Sequence, residues 1–270
     1  MKSFVIFCEG IHDVYFLYRI LKKMGFKSFN KKIKDMPSPL NKYFPLLMKD
    51  YNYEEYNILN INPLLPFMIK KDDQLILLYA IKGDTRDDNI NSIVNAFIDF
   101  PSSEEDLGFT KGSNNITETA FIFFYDADDK GINYRITELK RKLSETFRDI
   151  ENIEHGKFLE SENHHNIGCY IFADNTEKGK LEDITLPLMT LENEPLFEDI
   201  KIFLEKHDEL IPTPQKKHFQ KATIGIAGQL THPGSSNAVI LRRSNMITEE
   251  KINDSPECNS IIGFFSTFLV

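Results

Sequence analysis

The sequence predicts an α/β fold, a Rossmann-like parallel sheet of about four strands with helices on both faces. An insertion at about 27–73 and a C-terminal helical extension complete it. Three observations lead there. Short apolar runs alternate with segments whose apolar residues recur at helical spacing. The runs are almost continuously apolar, as strands are when both faces of a parallel sheet are covered. Acidic residues gather just beyond the ends of these runs, where open α/β sheets collect their functional groups.

Ser3 to Cys8 reads as the first strand, stopped by Glu9-Gly10. From Ile11 to Met24 the spacing turns helical, with Val14, Leu17, Tyr18, Leu21 and Met24 on one face and Gly25 placed as a C-cap. Met36 to Pro66 is rich in Pro and Asn and reads as inserted chain with short helices. Leu75 to Ile81 is the second strand. After the turn "KGDTRDD" a helix presents Ile90, Ile93, Val94, Phe97 and Ile98. Ala120 to Tyr125 is the third strand, and Ile132 to Ile150 the helix after it, with Ile136, Leu139, Leu143 and Phe147 inward. Gly168 to Phe172 is the fourth strand, followed by "ADNTEKGKLEDITLPLM". Residues 1–190 are expected to form the sheet domain. Residues 191–270 are expected to pack on it as one amphipathic helix (Leu196, Ile200, Phe203, Leu204), a basic loop and a C-terminal apolar helix (Ile261, Phe264, Phe265, Phe268).

Composition narrows the classes. The chain has 270 residues, 41% hydrophobic and 27% charged, enough to bury a full core. Cys8, Cys169 and Cys258 are far apart and odd in number, which gives neither a disulfide framework nor a zinc ligand set, and Cys8 and Cys169, in apolar strand-like runs, read as small core residues. No apolar stretch approaches the ~18 residues that span a membrane, and the apolar N-terminal run is too short for a signal peptide. A cytoplasmic protein without a membrane partner is expected.

The third strand ends in "FIFFYDADDKG", with Asp126, Asp128 and Asp129 in four positions. Two carboxylates ~4 Å apart repel by about 1 kcal/mol in water and by several times that near a protein surface, so a cation is expected among them. A calcium loop of the EF-hand type fails: position five is Lys130, position twelve is Thr137, and a strand precedes it. Magnesium or manganese for phosphoryl chemistry fits better, because hard cations take carboxylate oxygens and bridge phosphates. Asp126 and Asp128, at i and i+2, face one way if strand geometry persists. Glu9 follows a neighbouring strand, and Asp13 sits in the first helical turn. A carboxylate is favourable there in its own right, the structural alternative for Asp13. Asp174 and Glu182 follow the fourth strand.

"FVIFCEG" with "HDVYFL", then "FFYDADDKG", resembles the Toprim domain of topoisomerases, bacterial primases, RNA-maturation nucleases and the OLD-family (overcoming lysogenization defect) nucleases. Each motif has a strand before it and a helix after it. Within that superfamily the chain is most similar to the OLD-type and small stand-alone Toprim proteins. Asp13 matches their second acid, Lys82 to Asp84 ("KGD") their turn after the second strand, and Gly179-Lys180-Leu181-Glu182-Asp183 their late G-x-L-E-D segment. The likeness covers roughly residues 3–24, 75–98, 119–150 and 168–189, with a weaker echo in "QKKHFQKATIGIAGQLTHPG".

The resemblance implies a metal-dependent nuclease with two Mg2+ or Mn2+ ions. Asp126, Asp128 and Glu182 would hold one ion, and Glu9 and Asp13 the other, with Glu9 doubling as general acid or base. A catalytic lysine is implied from the later region, where Lys216, Lys217 and Lys221 are the candidates. Lys82 departs from the family's glycine, and the ATPase domain, the topoisomerase cleavage domain and the primase zinc module have no counterpart. The partners expected are nucleic acid, DNA ahead of RNA, a separate ATPase chain, and a second copy of this chain. A non-catalytic nucleic-acid or protein-binding Toprim module, such as one half of a two-gene defence system, stands as the alternative function.

Net charge is −9, yet Lys22 to Lys49 holds eight lysines and one acid, with Phe26, Phe29, Tyr43 and Phe44 between them. Lys31, Lys32 and Lys34, with Lys216 and Lys217, are the candidate phosphate contacts. A solvated face reads equally well. His164-His165 and the acids Asp129 and Asp183 are expected at the surface or beside the ligands rather than on a metal.

Overall fold

β1 (Lys2–Cys8) stands in the middle of a seven-stranded sheet. The structure, a computed structural model, describes residues 1–47, 65–81, 86–99, 116–160, 165–210 and 219–269. The other strands are β2 (Lys27–Ser28), β3 (Phe67–Lys71), β4 (Gln74–Ala80), β5 (Glu118–Asp126), β6 (Lys157–Leu159) and β7 (Asn166–Phe172), in the order β2-β3-β4-β1-β5-β7-β6. β4, β1, β5 and β7 are mutually parallel. β2, β3 and β6 add antiparallel edges.

The sheet therefore has seven strands rather than about four, which corrects the sequence expectation. The four parallel strands are the four apolar runs. The missed ones are short or lie at the edges: β2 is two exposed residues, and β6 spans three. β3 belongs to the expected insertion and returns as a hairpin partner of β4 through Asp72, whose φ is +47°.

Between the strands run α1 (Ile11–Lys23), α2 (Leu40–Leu47), α3 (Arg86–Asp99) and α4 (Ile132–Leu143), and α5 (Leu181–Thr190) follows the last strand, β7. α6 (Glu194–Lys206), α7 (Phe219–Thr231), α8 (Asn237–Arg243), α9 (Glu249–Asp254) and α10 (Pro256–Ser266) follow. Side chains of the parallel strands alternate between two cores. Phe4, Ile6, Cys8, Ile122, Phe124 and Phe172 face α1 and α5 to α10. Val5, Phe7, Leu77, Phe121, Phe123 and Ile171 face α2, α3 and α4. Both faces being covered is why the strands carry no polar alternation, and each fully buried Phe, Ile or Val stabilises the fold by roughly 1.5–3 kcal/mol.

Gly25, at φ +94°, ends α1, and the Phe26 N–H reaches back to the Leu21 carbonyl at 3.0 Å. The three cysteines are buried and free. The helix expected to reach Ile150 ends at Leu143 and is followed by a 3-10 turn at Arg148–Asn152. Ile98 and Phe203, expected to face inward, are exposed. The C-terminal region holds five helices among the described residues, α6 to α10, where two were expected. It is tied down by two cations: the half-buried Arg19 of α1 donates to the carbonyls of Leu241, Ser244 and Ile247, and the buried Lys251 to those of Leu191 and Met246. No described helix is long and apolar enough to cross a membrane.

Candidate active site

β1 and β5 run parallel with Cys8 opposite Phe124, so Glu9 and Asp126 leave the sheet close together. α1 starts at once, and Asp13 in its first turn accepts the Gly10 N–H at 2.7 Å. α5 repeats the device, its Asp183 accepting the Lys180 N–H at 2.9 Å. An N3 carboxylate that satisfies the N-cap N–H fixes where a helix begins. Here it fixes two helix starts against the same sheet edge. The N–H of Leu181, the first residue of α5, donates to Asp126 Oδ1 at 2.8 Å. Glu182, the next residue, is buried beside it.

A two-bond latch holds this arrangement. The Asp128 N–H donates to the Gly179 carbonyl at 2.6 Å, and the Gly179 N–H returns to the Asp128 carbonyl at 3.0 Å. Gly179 has φ +103°, and a Cβ there would lie 2.6 Å from Asp183 Oδ2, so the latch position accepts no side chain without displacement. Asp128 itself has φ +50°. Strand geometry therefore stops at Asp126, and Asp128 does not continue its direction.

Asp128 instead pairs with Arg135 of α4, whose same nitrogen lies 3.9 Å from Glu9. Arg135 also donates to the Asp126 carbonyl at 2.8 Å and to Glu138 at 2.9 Å. Lys221 of α7 lies 3.4 Å from Glu182 Oε1. Glu182 Oε2 is buried with no hydrogen-bond partner.

The carboxyls of Asp13 and Asp126 feel their surroundings strongly. Burial pushes Asp13 up to about 7, with Glu9 and Glu182 adding to the rise while the Gly10 N–H and Lys221 oppose it. Burial likewise pushes Asp126 up to about 8, reinforced by the charges of Asp13 and Glu9. Asp13 and Asp126 thus sit in one electrostatic group with Glu9 and Glu182, and their protons are held to higher pH than those of isolated aspartates.

The donor set is all carboxylate oxygen, the kind hard divalent cations take, and the orphaned Glu182 oxygen is the atom such an ion would satisfy. The fit is one of chemistry. Among the described residues no three His, Cys, Asp or Glu side chains converge into a finished metal-holding group. Arg135 and Lys221 provide the positive charge instead.

The other sequence candidates lie elsewhere. Asp174 is exposed and accepts the Thr176 N–H at 2.7 Å and its hydroxyl at 2.6 Å, which hold its carboxyl below the usual range. Asp129 is exposed. Asp183 accepts a bond from the Gln220 amide besides its capping role. Lys31 and Lys34 are exposed and Lys32 half-buried, all just after the outermost strand β2. With strands spaced about 4.8 Å, β2 lies roughly 14 Å across the sheet from β1. His165 sets its ring edge-on to Phe121 at 5.5 Å. Lys216, Lys217, His164 and the Lys82–Asp84 turn lie outside the described residues. Arg135 was not anticipated. A cation in the first turn of a helix opposes the helix dipole, and that misfit was its one signal in the sequence.

The sequence model of one family, described as protein of unknown function (DUF3226), matches residues 3–269. No curated protein matches. Among solved structures, a hypothetical protein from Pyrococcus horikoshii OT3 is similar over 99% of this chain and 95% of its own, at 16% identity and a TM-score of 0.46.

Proposed function

The chain belongs to the DUF3226 family of proteins of unknown function, and we propose that it is a divalent-metal-dependent nuclease of the Toprim type, hydrolysing phosphodiesters of DNA or RNA. The observation that carries this reading is the buried, unpartnered Glu182 Oε2 within a group of four carboxylates, two of them raised to about 7 and about 8. A fold gains nothing from that combination. Burying an unsatisfied charged oxygen costs stability, and such costs concentrate where function needs them.

Glu9, Asp13, Asp126 and Glu182 would hold the cations, joined by Asp128 once it exchanges Arg135 for an ion. Bound Mg2+ or Mn2+ supplies Lewis acidity and charge neutralisation for attack on a phosphodiester. The protein's own residues do the rest. Asp13 and Asp126, whose carboxyls are raised to about 7 and about 8, would have to be deprotonated to serve as ligands, so cation binding would release protons near neutral pH. Arg135, fixed by the Asp126 carbonyl and Glu138, carries a guanidinium suited to a phosphate oxygen. Lys221, half-exposed beside Glu182, sets a positive charge where negative charge develops during hydrolysis. The similarity of the Glu9 and Asp-x-Asp motifs to Toprim domains supports the same assignment.

One observation favours the alternative of a binding module without turnover. Arg135 and Lys221 already neutralise part of the acidic group from within. Incubation with linear, nicked and single-stranded DNA and with RNA, in Mg2+ or Mn2+, separates the two readings. Cleavage is expected from the wild type and lost in Asp126→Ala/Asp128→Ala. Cleavage undiminished in that variant would mean that the acidic group is not the catalytic site, and none from any substrate would favour the binding module.

A further inference from the structure

Arg19, Lys22, Arg242 and Arg243 line an open cleft of about 380 Å³ between α1 and the chain running from α8 into α9. The cleft also contains one acid, Glu249. Such a concentration of cations is unexpected in a chain of net charge −9. Among the described residues no salt bridge to a carboxylate joins any of the four cations, although Arg19 feels the charge of Glu249. Arg19 spends its hydrogen bonds on the carbonyls of Leu241 and Ser244, each at 3.0 Å, and of Ile247. Arg242 lies over the rings of Tyr15, Tyr18 and Phe67, 5.1 to 5.5 Å from their centroids. Carbonyls and ring faces orient a guanidinium but leave its charge in place.

The C-terminal ends of α1 and α8 meet here, which explains why cations are tolerated side by side. Each helix end supplies about −0.5 of a charge. Four cations less Glu249 and two helix ends leave about +2 in the cleft, against the charge of about −1.5 to −2 on a phosphate monoester at neutral pH. A cleft lined by one sign of charge focuses the field and draws counter-ions from solution. The volume falls within the range of small-molecule sites, about 300–1,000 Å³.

We propose that this cleft binds a phosphate-bearing ligand, clamped by Arg243 and Lys22 over a floor formed by Arg19 and Arg242. It is a separate site from the acidic group. Lys22 is nine residues beyond Asp13 on α1, about 13 Å along the helix axis at 1.5 Å per residue. The proposal does not depend on the nuclease reading. A free nucleotide and a nucleic-acid backbone share the chemistry, and the probes tell them apart.

Titrations in EDTA with pyrophosphate, adenosine 5′-monophosphate and a single-stranded oligodeoxynucleotide, at about 50 mM salt where phosphate contacts are least screened, provide the test. Binding of a small phosphate identifies a free ligand. Binding of the oligonucleotide alone identifies a backbone phosphate. In either case Lys22→Ala/Arg243→Ala is expected to weaken binding about tenfold or more, and Glu249→Gln to tighten it several-fold, with melting temperatures close to wild type. A gain from Glu249→Gln is not something general destabilisation produces. If no probe binds at millimolar concentration, or if both variants bind as the wild type does, the proposal is wrong. EDTA removes metal-dependent cleavage, so neither result bears on the nuclease assignment.

Discussion

Arg135 occupies the first turn of α4, where the helix dipole disfavours a cation, and it is kept there by the acids around it. It reaches Asp128, Glu9 and Glu138 and donates to the Asp126 carbonyl. Replacing it by Gln strips the counter-charge from Asp128 and Glu9. Hydrogen bonds to charged groups contribute about 1.5–3 kcal/mol, so Arg135→Gln is expected to lower stability by about 2 kcal/mol in denaturant titration at neutral pH. An unchanged midpoint would mean that these contacts contribute nothing. Asp13 and Asp126 set the pH response. Their carboxyls titrate at about 7 and about 8 in the fold and near 3.8 when the chain is open. The folded state thus binds more protons between those values, and its stability must fall as pH rises. In EDTA the melting temperature should, with respect to these groups, be highest below about pH 4 and decline from there through pH 8. The replacement Asp126→Asn should flatten the decline, and an equally steep decline in that variant would remove Asp126 from the explanation. At this scale Glu9, Asp13, Asp126 and Glu182 were legible in the sequence because each is pinned to the end of a strand or the start of a helix. The direction of Asp128 was not, because it depends on one backbone dihedral. The role of Arg135 was not either, because its partners arrive across a turn and from another strand.

Two helices begin with the same device, Asp13 on α1 and Asp183 on α5, and the second start is locked by Gly179. Gly179→Ala must place a Cβ against Asp183 Oδ2 in a conformation of positive φ. Strain of that kind costs about 1–3 kcal/mol, and the displaced Asp183 would also loosen its bond to the Lys180 N–H. The variant is expected to unfold at correspondingly lower denaturant and to lose the proposed cation binding, because Glu182 rides on the same turn. Wild-type stability would contradict the latch. The parallel strands were legible as elements because burial on both faces writes an uninterrupted apolar run into the sequence. β2 and β6 were not, because short edge strands make few buried contacts and need no apolar signature. Three helices of the C-terminal region escaped the sequence: α8 and α9 are seven and six residues long, too short to show a helical period, and the 13-residue α7 carries Gly225 and Gly228, which weaken any helical signal. The exposed Phe203 on α6 shows the limit of periodicity: an apolar residue near a buried stripe need not belong to it.

Across the whole molecule, charge is sorted by position. Acids meet at the carboxyl ends of β1 and β5, while unpaired cations meet at the far end of α1. The sheet was legible in its centre and the site in its acids, since both follow from the strand-to-helix turns that make an α/β fold. What the acids are for rests on one claim, that they take up a divalent cation. Melting the protein with and without Mn2+ tests it most directly. A cation at about 100 times its dissociation constant stabilises by about 2.7 kcal/mol, or roughly 5–10 °C for a chain of this size. The wild type is expected to show that rise. Glu182→Gln and Asp126→Asn, which keep the shape and remove the charge, are expected to melt at or above the wild-type temperature in EDTA and to gain little from Mn2+. No rise in the wild type, or an equal rise in both variants, would contradict the account.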